Sequence, residues 1–385
     1  MNRLTTSQGE FDLARFPENP RDPFRAWDAA DEYLLRRLEG QEGSEPVRPS
    51  GTVAVVGDRW GALATVLAAH SPVQITDSYL TRRATEANLA RNGAAPDAVR
   101  MLSVRDTPPE RIDVLLVRVP KSLALLEDQL HRLAPAVHAG TVVIGTGMVK
   151  EIHTSTLKLF ERIIGPTRTS LAVKKARLIF CTPDPALPRT PSPWPRRYEL
   201  PDDVGVVSGR TVTNHAGIFC AERLDIGTRF FLKHLPRRTG PDRVVDLGCG
   251  NGVLGTAAAL ANPDATVTFV DESYQAVASA EATFHDNAGA DAKAEFVVGD
   301  GTADIPRAGV DLVLCNPPFH SHQAVTDATA RNMFAGAHAA LRQGGELWVV
   351  GNRHLAYHTQ LRRIFGNCVT VAGDPKFVVL RAVKR

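Results

Sequence analysis

Residues 244–255, VVDLGCGNGVLG, read as a buried strand that turns sharply into a helix. A β-branched apolar run leads to Asp246, the glycines Gly248, Gly250 and Gly252 follow, and a helix is predicted from near Val253. Glycine lets such a turn come within contact distance of a ligand, and ligands of parallel sheets sit at the carboxyl ends of the strands. The third glycine comes one residue too early for the GxGxxG dinucleotide fingerprint, so a pyrophosphate is not the implied ligand. Outward from this turn, TVTFVD (266–271), AEFVVGD (294–300), DLVLCN (311–316) and GELWVVG (345–351) alternate with helical stretches. That alternation is the pattern of a parallel sheet covered on both faces.

The same pattern occurs earlier in the chain, in TVAVVG (52–57), VQITD (73–77), DVLLVRV (113–119) and TVVIGTG (141–147). GDRWGALAT (57–65) aligns with GCGNGVLGT (248–256), and DVLLVRVPK (113–121) with DLVLCNPPF (311–319). A repeat of this kind predicts an α/β protein of two tandem Rossmann-like domains. The copies differ where a ligand would lie: Arg59 stands opposite Gly250, Val55 opposite Asp246 and Arg118 opposite Asn316. Arginine fills space that glycine leaves open, so the N-terminal copy is expected to be degenerate. Between the copies, six prolines in residues 183–195 forbid helix and central strand. The expected division is a degenerate domain at 1–183, a Pro-rich linker at 184–197 and a ligand-binding domain at 198–385.

A chain of 385 residues, 43% hydrophobic and 23% charged, has the composition of a globular protein. No apolar run approaches the roughly 20 residues of a membrane span, and MNRLTTSQGEFDLARF lacks the features of a secretory signal. A cytoplasmic location is expected. The five cysteines never fall in a CxxC spacing, and His320 and His322 have no further ligands nearby, so no metal is expected. The net charge is only +3 but is unevenly spread. Residues 150–200 hold ten Lys or Arg against four Asp or Glu, and residues 352–385 hold seven against one. Such runs are either solvated faces or nucleic-acid contacts.

Asp271, followed by Glu272, closes the second strand about twenty residues after the glycine turn, where a carboxylate can accept both hydroxyls of a ribose. The sequence Asn316-Pro317-Pro318-Phe319 closes the strand DLVLCN. Two prolines cannot extend a central strand, so the chain leaves the sheet there with fixed φ. An Asn amide oxygen and the Pro317 carbonyl can accept the two protons of an exocyclic amine and aim its lone pair, while Phe319 can stack on a base. Cys249 and Cys315 flank both motifs without a recognisable base and read as small buried spacers.

DLGCGNG resembles motif I of the class I methyltransferases, whose acidic residue and glycine loop hold S-adenosylmethionine. NPPF followed by His320 resembles the guanine-N2 branch of the ribosomal RNA enzymes. The duplicated layout resembles the RlmG/RsmC family, and NHAGIFCAERLDIGTRFFLKHLP (214–236), VDES, NRHLAY, RRIFGNC (362–368) and HTSTLKLFERIIGPT (153–167) extend the likeness along nearly the whole chain. The resemblance implies S-adenosylmethionine as cofactor, bound by Asp246, Gly248, Gly250, Gly252, Asp271, Glu272 and Asp300, the last on the adenine amine. It implies that Asn214, Phe219, Asp225 and Gly227 close over the cofactor. The implied reaction is N2-methylation of a guanine in 23S rRNA, with 16S rRNA as the alternative substrate, by a chain favoured as a monomer. Lys174, Lys175, Arg177 and His320 are the expected RNA contacts. An adenine-N6 or protein-glutamine methyltransferase is a rival reading, and a non-catalytic ribosome-assembly protein a more distant one.

Overall fold

In the computed structural model each half of the chain builds one seven-stranded sheet, and the two sheets have the same strand order and sense. The structure describes residues 2–19, 24–41, 45–318 and 323–385, with the backbone alone for 323–327. The chain divides into two units, Met1–Pro193 and Trp194–Arg385. In the second unit the sheet runs Lys293–Val298, Thr266–Asp271, Arg243–Leu247, Val310–Cys315, Leu341–Asn352, Phe377–Val383, Val369–Gly373. The first five strands are parallel and the last two antiparallel. In the first unit Arg100–Ser103, Val73–Thr76, Val53–Val56, Ile112–Arg118, Val137–Met148, Ala176–Cys181 and Thr167–Thr169 repeat that arrangement. The protein is thus a tandem Rossmann-like duplication, as the internal repeat predicts.

Central strands are buried on both faces, which is why they read as continuous apolar runs: all four residues of Val53–Val56 and four of the five in Arg243–Leu247 are buried. Five strands of the two seven-stranded sheets escaped the sequence reading: Arg100–Ser103, Thr167–Thr169, Ala176–Cys181, Val369–Gly373 and Phe377–Val383. Three of them lie at sheet edges, where polar side chains such as Arg100, Arg168 and Thr370 face water and blur the apolar signal. Of residues 184–197, the segment 184–193 belongs to the first unit and is bonded to it. Asp184 donates its N–H to the Ile164 carbonyl at 2.8 Å, Arg189 donates to the Ile163 carbonyl at 3.1 Å, and the Ser192 hydroxyl donates to Asp128 at 2.6 Å. Arg196 and Arg197 open the strand Arg196–Glu199, which pairs with Thr211–Asn214.

The strand-to-helix turn is built alike in both units. Gly57 and Gly248 adopt φ of 74° and 73°, and Gly61 and Gly252 cap the following helices at 74° and 75°. A Cβ on Gly61 would stand 2.6 Å from Thr85 Cα, and one on Gly252 2.7 Å from Ala280 Cα, so helix packing demands glycine at both. Even the missing Asp246 counterpart is replaced. Asp246 accepts the Gly255 N–H at 2.8 Å, and in the first unit Asp58, three residues after Val55, accepts the equivalent Ala64 N–H at 2.8 Å. Burial pushes Asp58 up to about 7, helped by the charge of Asp31.

What the first unit does not keep is space. Arg118, fully buried, pairs with Asp28 at 2.7 Å, Asp31 at 3.2 Å and Glu151 at 3.0 Å. Arg59 pairs with Asp28 at 3.3 Å and Glu151 at 2.7 Å. Three carboxylates and two guanidiniums therefore knit the helix Ala29–Leu38, the turn and the strand ends together. Burial works to raise Glu151, but the hydrogen bond from Arg59 and the charges of Arg118 and Arg59 outweigh it and bring it down to about 2. Because that folded-state value lies below the unfolded one, the stability Glu151 contributes is present above about pH 4.5 and is lost as pH falls towards 2. Arg118→Met should cost about 3–5 kcal/mol at pH 7, since it strands buried carboxylates. The deficit should narrow at pH 3, where the wild type has also lost part of that term. Urea unfolding at the two pH values checks this, and a gap that widens on acidification would contradict it.

Candidate functional site

In the second unit the glycine turn and the ends of three adjacent strands meet at the carboxyl edge of the sheet. Leu247 pairs in register with Val270 on one side and Cys315 on the other, so Asp271 and Asn316 each lie one residue beyond a paired position. The turn is held by Gly248 and Cys249, whose N–H groups donate to the Val270 carbonyl at 2.8 and 3.0 Å. Asp271 clamps it further, accepting the Gly250 N–H at 3.0 Å on one oxygen and the Ser273 N–H at 3.0 Å on the other. A carboxylate has about four lone-pair sites, so both oxygens retain capacity for ribose hydroxyls.

The glycines divide by role. Gly250, at φ 54°, would point a Cβ into open space, and a Cβ on Gly248 would meet only the Met333 methyl at 3.0 Å. These two leave room for a ligand. Gly252 faces Ala280 and is required by helix packing, as is Gly255, whose Cβ would lie 2.3 Å from the Phe269 ring. Sequence alone could not separate these duties, because the partners are remote along the chain.

The electrostatics of the site point to what it would take. Burial pushes Asp246 up to about 7, and burial likewise raises Asp271 and Asp300. Among the described residues no Lys, Arg or His forms an ion pair with any of the three. The first unit supplies Arg59 and Arg118 at the aligned positions; the second supplies Gly250 and Asn316. An open turn beside carboxyls that lack a cation fits a positively charged ligand, and S-adenosylmethionine, with its sulfonium and ammonium groups, meets that description. Glu272 is half-buried between Asp271 and the helix cap Ser273. Asp300, half-buried, makes no side-chain hydrogen bond among the described residues and is open to an amine donor. Burial raises the thiols of Cys249 and Cys315, so neither is a thiolate near neutral pH.

Asn316 follows the strand directly. Its Nδ2 donates to Thr228 Oγ1 at 2.9 Å and to Asp225 Oδ2 at 3.4 Å, while its Oδ1 is buried and accepts nothing from the described residues. Pro317 behind it is buried and Pro318 exposed; Phe319 and His320 lie outside the described residues. Of the segment expected to close over the cofactor, Asn214 is buried and accepts from Asn251 of the glycine turn at 3.0 Å. Phe219 is 52% exposed. Asp225 caps the helix Ile226–Leu232, and Gly227 packs on Phe377, where a Cβ would lie 3.2 Å from the ring. The structure therefore brings Asp225 to Asn316 and gives Gly227 a packing duty. Thr228 escaped the sequence reading. Its only signal was its place three residues after a capping Asp.

Lys174 and Lys175 form a two-residue turn at φ 49° and 64° between Val173 and Ala176, which bond each other's backbone at 2.9 and 2.8 Å. Such turns favour Asn-Gly, because φ > 0 strains residues with a Cβ. Lys174 also reaches Glu32 at 3.4 Å, and Arg177 is half-buried on the following strand.

Two substitutions separate architecture from ligand space. Gly252→Ala should destabilise by more than the about 1–2 kcal/mol of left-handed strain, because the Ala280 backbone is in the way. Gly250→Arg, which copies the first unit, should leave a folded protein whose affinity for S-adenosylmethionine falls by about two orders of magnitude or more. Unfolding curves and cofactor titrations read both; wild-type affinity in Gly250→Arg would contradict the assignment.

Comparison with known proteins agrees with this geometry along the whole chain. Residues 1–185 match the family model of the RLMG N-terminal domain, and residues 209–381 match the methyltransferase small domain. The chain is 81% identical to the ribosomal RNA large subunit methyltransferase G of Streptomyces griseus over 100% of both chains, and 49% identical to that of Stutzerimonas stutzeri over 99% of both. Among solved structures, the T. thermophilus 16S rRNA N2 methyltransferase RsmC, in complex with AdoMet and guanosine, matches with a TM-score of 0.76 over 100% of this chain and 97% of that one. At 22% identity that likeness shows the shared fold. With full-length relatives at such identity, the chain belongs to the ribosomal RNA large subunit methyltransferase G family.

Proposed function

We propose that the second unit transfers a methyl group from S-adenosylmethionine to the exocyclic N2 of a guanine in large-subunit ribosomal RNA. The observation that carries this reading is Asn316: a rigidly placed amide whose oxygen is buried and accepts no hydrogen bond from the described residues. A buried acceptor left unmade costs about 1–3 kcal/mol, so the site holds a polarity that a substrate donor would satisfy. The guanine N2 amine is such a donor, with two protons and a lone pair delocalised into the ring. Asn316 Oδ1 and the Pro317 carbonyl accept those protons, favour a pyramidal nitrogen and aim its lone pair. Bound S-adenosylmethionine supplies an electrophilic methyl group on sulfur. As the N–C bond forms and the S–C bond breaks, positive charge moves onto N2, and the two oxygens stabilise it before one proton leaves to solvent. Phe319, next in the motif, is the aromatic available to stack on the base.

The choice of guanine over adenine rests on the NPPF sequence and the T. thermophilus enzyme bound to guanosine; the large subunit rests on the names of the full-length relatives. The first unit, whose aligned site is filled by Arg59 and Arg118, supplies RNA affinity instead. Lys174 and Lys175 at the strained turn, with Arg177, are the proposed phosphate contacts, and the place of action is the cytoplasm, where ribosomal RNA is made and assembled. No helix among the described residues is long and apolar enough to cross a membrane.

Asn316→Ala is expected to bind S-adenosylmethionine within about twofold of wild type and to lose methyl transfer to ribosomal RNA by about two to three orders of magnitude, as removal of a preorganised polar group in other enzymes does. Nucleoside mass spectrometry of rRNA from cells carrying only that variant should lack N2-methylguanosine at one large-subunit position. Unchanged methylation would remove Asn316 from the chemistry, and loss of a small-subunit guanosine mark instead would move the substrate to 16S rRNA. In the same assay, charge reversal at Lys174, Lys175 and Arg177 should raise the apparent KM for RNA and flatten its salt dependence without changing cofactor affinity.

A further inference from the structure

We propose that Thr228 is a positioning residue for this reaction: with Asp225 it sets which way round the Asn316 amide sits, so that oxygen rather than nitrogen meets the target amine. The proposal rests on the reading that Asn316 Oδ1 accepts the amine protons.

Hydrogen-bond polarity decides the orientation of the amide. An Asn side chain carries a donor end and an acceptor end of nearly equal size, and in an otherwise apolar strand exit the two orientations differ little. Something must break the tie. Asp225, the N-cap of Ile226–Leu232, is a carboxylate and can only accept. Its Oδ2 takes the Thr228 N–H at 2.8 Å and the Thr228 hydroxyl at 3.2 Å. The hydroxyl has one hydrogen, and it is given to Asp225, so towards Asn316 the Thr228 oxygen can only accept. It accepts from Nδ2 at 2.9 Å, and Asp225 Oδ2 accepts from the same nitrogen at 3.4 Å. An amide turned by 180° would set Oδ1 against the Asp225 carboxylate, which has no proton to give, and could accept from Thr228 only by drawing the hydroxyl hydrogen away from Asp225. The chain of polarity therefore runs from carboxylate to hydroxyl to amide nitrogen, and it leaves Oδ1 as a buried acceptor with no partner among the described residues. The helix cap, an ordinary structural device, thereby extends its orientation into the reacting centre.

A purely structural Thr228 would act on folding and leave the chemistry of the folded fraction alone; a positioning Thr228 acts on kcat. Thr228→Val keeps the shape and the backbone cap bond but removes the hydroxyl, so the amide is free to turn and present Nδ2 to the amine. The expected result with the full chain and ribosomal RNA is a fall in kcat of about tenfold or more, with KM for RNA, the dissociation constant for S-adenosylmethionine and the melting temperature within about twofold or a few degrees of wild type. Thr228→Ser restores the hydroxyl and should return kcat to within about threefold of wild type. Should the Val variant fail to fold, the pair Thr228→Ala and Thr228→Ser carries the same comparison, and equal kcat values for the two would overturn the proposal. Asn316→Ala is assayed alongside. Wild-type kcat in Thr228→Val with an inactive Asn316→Ala overturns the positioning role and leaves the reading of Asn316 intact, whereas an active Asn316→Ala overturns that reading itself.

Discussion

A carboxyl group taken out of water needs a cation, a proton or several hydrogen bonds, and the two halves of this protein meet that requirement in different ways at the same place in the same fold. In the first unit Asp28, Asp31 and Glu151 are met by Arg59 and Arg118, and the cluster ties helix, turn and sheet into one body. In the second unit backbone N–H groups meet Asp246 and Asp271, burial raises the proton affinity of both and of Asp300, and no basic side chain is paired to any of the three among the described residues. The first arrangement is complete within the chain. The second lacks those arginines and leaves open space beside its carboxyls for a ligand that brings positive charge, and this difference separates a scaffold from an enzyme within one duplicated fold.

The same contrast explains which features of the turn are shared. Gly57 with Gly248, and Gly61 with Gly252, serve backbone geometry and helix packing, needs that both copies have. Gly250 leaves ligand space without a counterpart glycine in the first copy, and it is the one of the three that the first copy has exchanged for arginine. Asp58 shows how local the structural demand is: once Val55 had taken the place of a strand carboxylate, a carboxyl three residues later caps the same helix N–H. Function in the second unit is thus layered on a turn whose architecture does not depend on it.

Much of this was legible from residues alone. The duplication, the degenerate copy, the glycine turn, Asp271 and Asn316 all lie within short motifs whose spacing carries their geometry. The unread parts depend on contacts between residues far apart in sequence. Thr228 reaches Asn316 across 88 positions. Gly252 packs against Ala280 and Gly227 against Phe377, and no motif contains either partner. The edge strands hid behind exposed polar residues, and the proline-rich stretch looked free because its bonds to Ile163, Ile164 and Asp128 are with distant partners.

The central claim, that one unit awaits a cation and the other has filled its place with arginines, is tested most directly by calorimetric titration of the intact protein with S-adenosylmethionine near pH 6.5 in two buffers of different ionisation enthalpy. Burial has raised Asp246 to about 7, so an arriving positive charge should lower it and expel a proton. The account predicts one site per chain and net proton release on binding. A second site of comparable affinity, or binding with no exchange of protons, would contradict it.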